Sequence, residues 1–221
     1  LEFITHRHES LRTSFTAKEG VPVQVIQPPG SFSLPIIDAQ GFTDGQIQEA
    51  ALDVLARPFD LSSDLMLRAV LLRRTSSEHF LIIVVHHIAA DGWSMPILQE
   101  ELGTAYSAFV EGKQPHLPDL PLQYSDFAKW QRDFLRGPLL QGQLEFWTRQ
   151  LKGAPSHPLL LTDRPRGPRQ TYRGDRYTVQ VDPSWETMIN EFNRRERVTL
   201  FMTLLACLES LLYRMTGQND L

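Results

Sequence analysis

The sequence feature that most constrains the fold is an apolar run at residues 81–85, Leu-Ile-Ile-Val-Val, that leads directly into two histidines. Consecutive apolar residues rich in β-branched side chains predict a strand buried on both faces of a sheet. Residues 86–92, His-His-Ile-Ala-Ala-Asp-Gly, then place two imidazoles, a carboxylate and a glycine at one end of that strand. An imidazole held there can exchange protons near neutral pH. This segment is therefore the candidate active site.

Each of these residues also has a purely structural interpretation. A single histidine beside a strand is more often a hydrogen-bonded core or edge residue than a catalytic one. The Asp-Gly that follows the pair makes a catalytic centre as well supported as the structural interpretation, because active sites gather ionisable groups. Side chains alternate along a strand, so only one of His86 and His87 can face a given cavity, and spacing alone leaves open which one. Gly92 permits a backbone angle or a close approach that a side chain would forbid.

Four motifs, in order along the chain, resemble those of the condensation domains of nonribosomal peptide synthetases. Residues 86–92 match the family's HHxxxDG motif, and residues 7–15 resemble its RHExLRTxF motif. Residues 58–61, followed by Leu-Arg-Ala at 67–69, resemble the PFDL approach to the strand pair, and residues 124–130 resemble YxDFAxW. HxxxDG alone is shared with other acyltransferases, whereas four ordered matches over most of the chain are specific.

The resemblance implies amide bond formation between a donor aminoacyl or peptidyl thioester and an acceptor aminoacyl thioester. Each thioester hangs on the phosphopantetheine arm of a partner carrier domain, so the domain itself binds no cofactor. The implied partners are the donor and acceptor carrier domains and a neighbouring adenylation domain.

The resemblance also implies roles for the motif residues. His87 faces the substrates as a base or as a hydrogen-bonding positioner, and His86 braces the loop. Asp91 is structural, ion-paired with an arginine. Arg12 is the candidate partner in this chain, and an arginine in the rest of the second lobe is the alternative. Gly92 lets the pantetheine arm or the loop backbone pass closely.

Three other functions remain open. A stand-alone acyltransferase that uses coenzyme A thioesters shares HxxxDG, although the second histidine and the other motifs count against it. An epimerisation domain shares the histidine pair but normally lacks the glycine found at position 92. A docking module without catalysis, which only binds carrier domains or other partners, is disfavoured by the intact motif.

The fold implied by the resemblance is that of chloramphenicol acetyltransferase, an α/β architecture of two lobes with the active site between them. Each lobe is an α+β two-layer sandwich with a mixed sheet and flanking helices. Residues 1–163 are expected to form the N-terminal lobe with its start missing, and residues 164–176 a crossing segment. Residues 177–221 are expected to be the truncated beginning of the second lobe.

Local patterns predict the individual elements. Strands are predicted at 21–27, 34–37 and 177–181, and 67–74 and 79–86 form a hairpin. Thr43 and Gln46 predict a capping box, and Trp93 is expected to pack. Helices are also predicted at 94–110, 124–135, 139–151, 183–195 and 200–216. Predicted inward-facing residues are Ile47, Ala51, Val54 and Leu55 in the capped helix, Met95, Leu98, Leu102, Tyr106 and Phe109 in 94–110, Tyr124, Phe127, Trp130, Phe134, Phe146 and Trp147 in the next two, and Met202, Leu205, Leu208, Leu212 and Met215 in the last.

The helix that starts just after Asp91-Gly92 brings backbone N–H groups near the site, which favours negative charge there. An ordinary helix start is the better-supported interpretation.

Composition narrows the function further. A formal charge of −4 gives no general attraction to nucleic acid or an anionic membrane, and the arginines at 164–176 are expected to be solvated. No charged-then-apolar leader opens the chain and no apolar run approaches 18 residues, so we expect a soluble, cytoplasmic protein. Without CxxC, HExxH, GxGxxG or a Walker loop we expect no bound metal or nucleotide. The single cysteine, Cys207, is expected to be an inert apolar filler.

Overall fold

The computed structural model describes residues 1–154, 160, 162, 167, 169, 174–175 and 177–220. The chain divides into two compact units, Leu1–Leu139 and Leu140–Leu221. The strands of the described residues are β1 (Thr13–Lys18), β2 (Val21–Ile26), β3 (Ile36–Asp38), β4 (Leu67–Arg73) and β5 (His79–Val85). The helices are α1 (Glu2–Arg7), α2 (Asp44–Ala56), α3 (Ser94–Val110), α4 (Tyr124–Phe134), α5 (Gly137–Gln150), α6 (Pro183–Glu196) and α7 (Leu200–Thr216), with a short 3-10 helix at Glu9–Arg12.

A mixed three-stranded sheet in the first unit carries the candidate site. β3 pairs in parallel with β4, and β4 pairs antiparallel with β5, from Leu67 opposite Val85 to Arg73 opposite His79. The predicted hairpin is therefore confirmed. The chain between β3 and β4 contains α2, because two parallel strands need a long connection.

The capping box predicted for α2 is confirmed. The Gln46 N–H donates to Thr43 Oγ1 at 3.3 Å, and the Thr43 N–H donates to Gln46 Oε1 at 2.9 Å. Val54 is buried on the inner face of the helix, but Leu55 is 55% exposed, contrary to the prediction. Consecutive helix residues point about 100° apart, so Leu55 points away from the face on which Val54 lies. Ile47 and Val54 contact the cluster on the sheet as predicted, together with Ala50.

Each face of the sheet contacts its own apolar cluster. The cluster on the α2 side has as its buried members Ala39, Val54, Val70, Leu72 and Val84. The cluster on the side of α1 and α3 has Ile4, Leu11, Leu67, Ala69 and Leu98. Alternate side chains of β4 and β5 thus enter different clusters, as the pleat of a strand requires.

The predicted burial of residues 81–85 on both faces is wrong in degree. Val84 is buried, but Leu81 is 40% exposed. In the described part of the chain β5 pairs with β4 alone, so its outer edge is not covered by another strand.

The hairpin of β1 and β2 is a separate antiparallel ladder that follows the 3-10 helix directly. Gly20 adopts a φ of 79° in its turn, which is why glycine suits that position. Among the described residues β2 pairs only with β1, so it is an edge strand, a position that tolerates Pro22.

In the second unit the predicted helices are present, but most of the residues predicted to be buried are exposed. Thr199 caps α7, and Gly217 ends it in the left-handed conformation. The proposed inner face of α7 is 40–61% exposed at Met202, Leu205, Leu208 and Met215, and Cys207 is exposed as well, so the filler role predicted for it is wrong.

Residues 177–181, predicted as a strand, have no regular secondary structure. A strand needs a hydrogen-bonded neighbour, and no described strand pairs with them. Most of the crossing segment at 164–176, with four of its five arginines, lies outside the described residues, so the division into lobes at residue 163 stays a prediction.

Among the described helices, none is by itself both long enough and apolar enough to cross a bilayer. α6 and α7, which are bent by 100° at the break between them, meet those two requirements only as a pair.

Candidate active site

His87 lies in a tight turn at the end of β5. The strand ends at Val85, and the Ala89 N–H donates to the His86 carbonyl at 3.0 Å to close the turn. The His87 side chain is exposed, and neither of its ring nitrogens is hydrogen-bonded within the described part of the chain. An imidazole in this state can accept a proton or a hydrogen bond from an incoming group.

His86 is hydrogen-bonded within this turn through both its backbone and its ring. Its N–H donates to the Met66 carbonyl at 2.9 Å, and its Nδ1 accepts from the Ile88 N–H at 3.1 Å. The half-buried ring also meets the edge of Phe59, with 5.6 Å between ring centroids. Because Nδ1 is already an acceptor, full protonation of His86 would break a bond that shapes the loop.

Asp91 and Ser94 form a closed hydrogen-bonded box at the start of α3. Asp91 Oδ1 accepts from the Ser94 hydroxyl at 2.8 Å and N–H at 3.0 Å, and from the Trp93 N–H at 3.1 Å. In return the Asp91 N–H donates to Ser94 Oγ at 3.1 Å. The Ser94 hydroxyl, and after it the Ser94 N–H, hold the pKa of Asp91 below its ordinary value, because they favour the charged carboxylate.

This box occupies the backbone N–H groups at the N-terminus of α3. The Trp93 and Ser94 N–H groups donate to Asp91, so the negative charge favoured at this N-terminus is supplied by the chain itself. The ordinary helix start is the correct interpretation. Ser94 was not singled out from the sequence, although an acidic residue three positions before a serine at a helix start is a capping signal.

The predicted ion pair between Asp91 and Arg12 is wrong. Within the described residues the ionic partner of Arg12 is Glu9, with 3.5 Å between Nη2 and Oε1, and Nη1 donates to the Gln27 carbonyl. The guanidinium therefore binds groups of the 3-10 helix and of the residue that follows β2. Its buried Nε has no partner among the described groups, and Asp91 has no ion pair among them.

Gly92 is not required by the chain's own backbone. Its φ lies outside the left-handed region, and a Cβ built on it would meet no atom within 4 Å. Both the special backbone angle and the close passage of the loop backbone are therefore wrong. Passage of a substrate arm stays a prediction.

Trp93 does not pack, contrary to the prediction, because its side chain is 87% exposed. The buried line of α3 runs through Leu98, Glu101 and Ala105. Trp93 has helical dihedral angles and lies five residues before Leu98, so it points about 140° away from that line.

A buried carboxylate, Glu101, was missed by the sequence analysis. It is 8% exposed and pairs with Arg7 Nε at 3.1 Å and His8 Nε2 at 2.6 Å. A charged residue between the buried positions Leu98 and Ala105 was the available signal, since a buried charge needs partners. These pairs join the RHExLRTxF segment to the helix that follows the histidine loop.

The RHExLRTxF segment and the HHxxxDG loop meet at a cavity of about 140 Å³. It is lined by His8, Ser10, Leu11, Ala89, Ala90, Ser94, Ile97 and Leu98. Ala89 also packs against the cluster that contains Leu98, so the loop is anchored from inside. In the described portion of the chain, no three His, Cys, Asp or Glu side chains are grouped to hold a metal ion.

Comparison with known proteins agrees with this arrangement. A family model described as the condensation domain matches residues 1–221. A linear gramicidin synthase protein of Brevibacillus parabrevis is 46% identical over 221 residues, which is 97% of this chain and 4% of that protein. The X-domain from teicoplanin biosynthesis is 28% identical with a TM-score of 0.87, over 97% of this chain and 48% of that one.

The first condensation domain of the calcium-dependent antibiotic synthetase, solved with a substrate analogue, has a TM-score of 0.75 at 22% identity. That match covers all of this chain and 52% of the other, and at such identity it shows the fold alone. The predicted α/β fold with a mixed sheet is confirmed. The chain spans about half of these solved domains and a small part of the curated relative.

Proposed function

This chain belongs to the condensation-domain family of nonribosomal peptide synthetases, and from that premise we propose that it takes part in amide bond formation. The amine of an acceptor aminoacyl thioester attacks the carbonyl carbon of a donor aminoacyl or peptidyl thioester. A C–N bond forms, the C–S bond breaks, and the thiolate that leaves takes up the proton lost by the amine. The chain therefore acts as an acyltransferase.

The observation that carries this proposal is the open imidazole of His87 on a rigid turn. The amine must lose a proton as the tetrahedral state forms, and a positioned base contributes about 10²–10⁴-fold to such a step. Holding the two reactants together contributes about 7–11 kcal/mol more. We assign His87 the role of that base or of the group that orients the amine, and the bond from the Ile88 N–H to His86 Nδ1 in the same turn supports this assignment.

Asp91 supports the site without handling the proton. Its carboxylate accepts three hydrogen bonds from Trp93 and Ser94, and its lowered pKa makes it a weak base. Its role is to fix the loop against α3.

The proposed partners follow from the reaction. Donor and acceptor carrier domains bring both thioesters on phosphopantetheine arms, and a neighbouring adenylation domain loads the acceptor. The domain binds no cofactor of its own, and the reaction takes place in the cytoplasm.

Substitution of His87 in the intact synthetase tests the role assigned to it. His87→Ala should lower peptide transfer between carrier domains by about 10²-fold or more and leave thermal unfolding unchanged, since the side chain is exposed. His79→Ala is the matched control, because His79 is an exposed histidine at the other end of β5. Unchanged transfer by His87→Ala would remove His87 from the mechanism.

A second variant separates the two possible roles of His87. Glutamine can make a hydrogen bond but cannot take up a proton near neutral pH. Transfer by His87→Gln as low as that of His87→Ala identifies a base, whereas substantial recovery identifies a positioner. The same assay with free coenzyme A thioesters distinguishes this function from that of a stand-alone acyltransferase, which would prefer them.

A further inference from the structure

Phe59 lies between the guanidinium of Arg68 and the ring of His86. Arg68 Cζ stands over the Phe59 ring, 4.3 Å from its centroid. The centroid of the His86 ring is 5.6 Å from that of Phe59, with 72° between the two ring planes. A cation over an aromatic face and an edge-to-face ring pair are both attractive arrangements. Both interactions therefore hold the Phe59 ring in place.

The register of the β4–β5 hairpin explains why these groups meet. Arg68 lies opposite Val84, and the His86 N–H donates to the Met66 carbonyl at 2.9 Å, so the pairing continues past the end of β5. Because side chains alternate along a strand, Arg68, Val84 and His86 all face the α2 side of the sheet. Arg68 and His86 are diagonal neighbours, and such positions are about 7–8 Å apart. Phe59 fills the gap between their side chains.

Arg68 also holds the backbone that carries Phe59. Its Nη1 and Nη2 atoms donate to the carbonyls of Arg57 and Pro58, each at 3.0 Å. The planar fork of a guanidinium makes two such bonds in a fixed geometry. Asp64 Oδ2, which is 3.7 Å from Nη2, accepts from the N–H of the residue after Phe59 at 2.9 Å. The backbone is thus bound on both sides of Phe59.

The rotation of the His86 ring bears on the turn that carries His87. Nδ1 of His86 accepts from the Ile88 N–H at 3.1 Å. An imidazole nitrogen accepts in the plane of its ring, so the bond requires one orientation of that ring. His87 is the residue between the two bonded partners, and its backbone position therefore depends on this bond.

We propose that Phe59 and Arg68 are positioning residues for His87. Arg68 holds Phe59, Phe59 fixes the rotation of the His86 ring, and that ring holds the Ile88 N–H. The proposal rests on the proposed function, because the geometry of this turn affects transfer only if His87 acts on the amine.

A packing role alone makes a different prediction. Phe59 is half-buried against the apolar cluster on the α2 side, so its truncation should also lower stability. Phe80 is a half-buried ring on the same cluster. It lies six residues before His86 along β5, or about 20 Å away. Phe80→Leu is therefore the matched control for Phe59→Leu, because it weakens the same cluster far from the turn.

The first measurement is hydrogen exchange of the intact synthetase, followed by mass spectrometry of a peptide that contains residues 86–90. Its Ile88 and Ala89 N–H groups donate to His86. Phe59→Leu should accelerate their exchange on the order of tenfold, through loss of the ring contact with His86. Phe80→Leu should lower the Tm by a similar amount without this acceleration. Equal exchange in the two variants would overturn the proposal.

The second measurement is peptide transfer between carrier domains. Phe59→Leu should lower kcat about tenfold or more and leave the KM for the carriers unchanged, because the reacting group is misplaced while binding is retained. Phe80→Leu should transfer at the wild-type rate. Arg68→Gln should change exchange and kcat in the same direction as Phe59→Leu, whereas Arg73→Gln, at an exposed arginine at the other end of β4, should not. Wild-type exchange in Arg68→Gln would overturn the role of Arg68.

A His86→Asn background tests whether Phe59 acts through His86. Asparagine keeps an acceptor near the position of Nδ1 but has no ring for Phe59 to orient. Phe59→Leu should therefore cause no further acceleration of exchange in this background, and a further tenfold acceleration would overturn the proposal.

Exchange does not depend on transfer, so the two hypotheses fail separately. Faster exchange in Phe59→Leu with unchanged transfer in both Phe59→Leu and His87→Ala would refute the proposed function alone. Unchanged exchange in Phe59→Leu, with transfer lost in His87→Ala, would refute the positioning role alone.

Discussion

Replacement of the buried acid Glu101 by glutamine should destabilise the protein, because it removes one charge from a buried ionic cluster. The Glu101 side chain is 11% exposed, and those of its partners Arg7 and His8 are 13% and 23% exposed. Removing one member of a buried pair costs about 3–5 kcal/mol, since the remaining charge is left without compensation. Arg7 keeps a bond to the Pro118 carbonyl, and glutamine can still accept hydrogen bonds, so we expect about 2 kcal/mol.

The assay is thermal unfolding followed by circular dichroism. A loss of about 2 kcal/mol corresponds to a fall in Tm of about 4–8 °C for a protein of this size. Glu100→Gln is the matched control, because Glu100 is the adjacent residue of α3 and is exposed. Its Tm should stay within about 2 °C of the wild type. Equal Tm values for the two variants would show that the cluster contributes nothing to stability.

The remaining predictions concern the loop before α3. Asp91→Asn should reduce the free energy of unfolding at neutral pH, because the pKa of Asp91 is lowered in the folded state. The contribution of the carboxylate to stability is present above its ordinary pKa of about 4 and is lost as the pH falls through the lowered value. Urea unfolding at pH 7 and pH 3 should therefore show a difference between wild type and variant that shrinks in acid, and a constant difference would refute this reasoning. Gly92→Ala should change stability by no more than about 1 kcal/mol, because φ and space both allow a Cβ. A fall in peptide transfer at unchanged Tm would show that a substrate needs the space, whereas a large fall in Tm would contradict the geometry.

The parts of the fold that the sequence predicted are those set by local rules. The β4–β5 hairpin follows from two apolar runs separated by a short polar turn, and the start of α2 follows from Thr43 and Gln46. The end of α7 at Gly217 follows from the backbone freedom of glycine. Such signals lie within a few residues of each other, so a single sequence contains all of the information they need.

The predictions that failed depended on which face of an element meets a neighbour. The aromatic residues of α4 and α5 were expected to pack inward. Tyr124, Phe127, Trp130 and Phe134 are nevertheless 42–57% exposed, and their rings contact one another in sequence along α4. The half-buried residues of α4 are the small ones, such as Ser125 and Ala128. Periodicity identifies an amphipathic helix, but it does not determine which segment, if any, packs against the apolar side.

The candidate site shows the same division. The motif at residues 86–92 identified the loop, because its histidines, aspartate and glycine are adjacent in sequence. The Arg12 pairing and the Glu101 cluster depend on which segments meet across the fold, so residue types alone could not place them. Glu101 is 93 residues from His8, its partner at 2.6 Å.

The hydrogen bonds of the loop support the proposal that His87, rather than Asp91 or His86, handles the proton. Asp91 accepts from Ser94 and Trp93, and a proton added to its carboxylate would weaken the box that fixes α3. His86 accepts through Nδ1 from the Ile88 N–H, and this bond would be lost if Nδ1 carried a proton. Within the described part of the motif, His87 is the ionisable group whose ring makes no internal hydrogen bond, so the proposed proton transfer would leave the bonds of the loop intact.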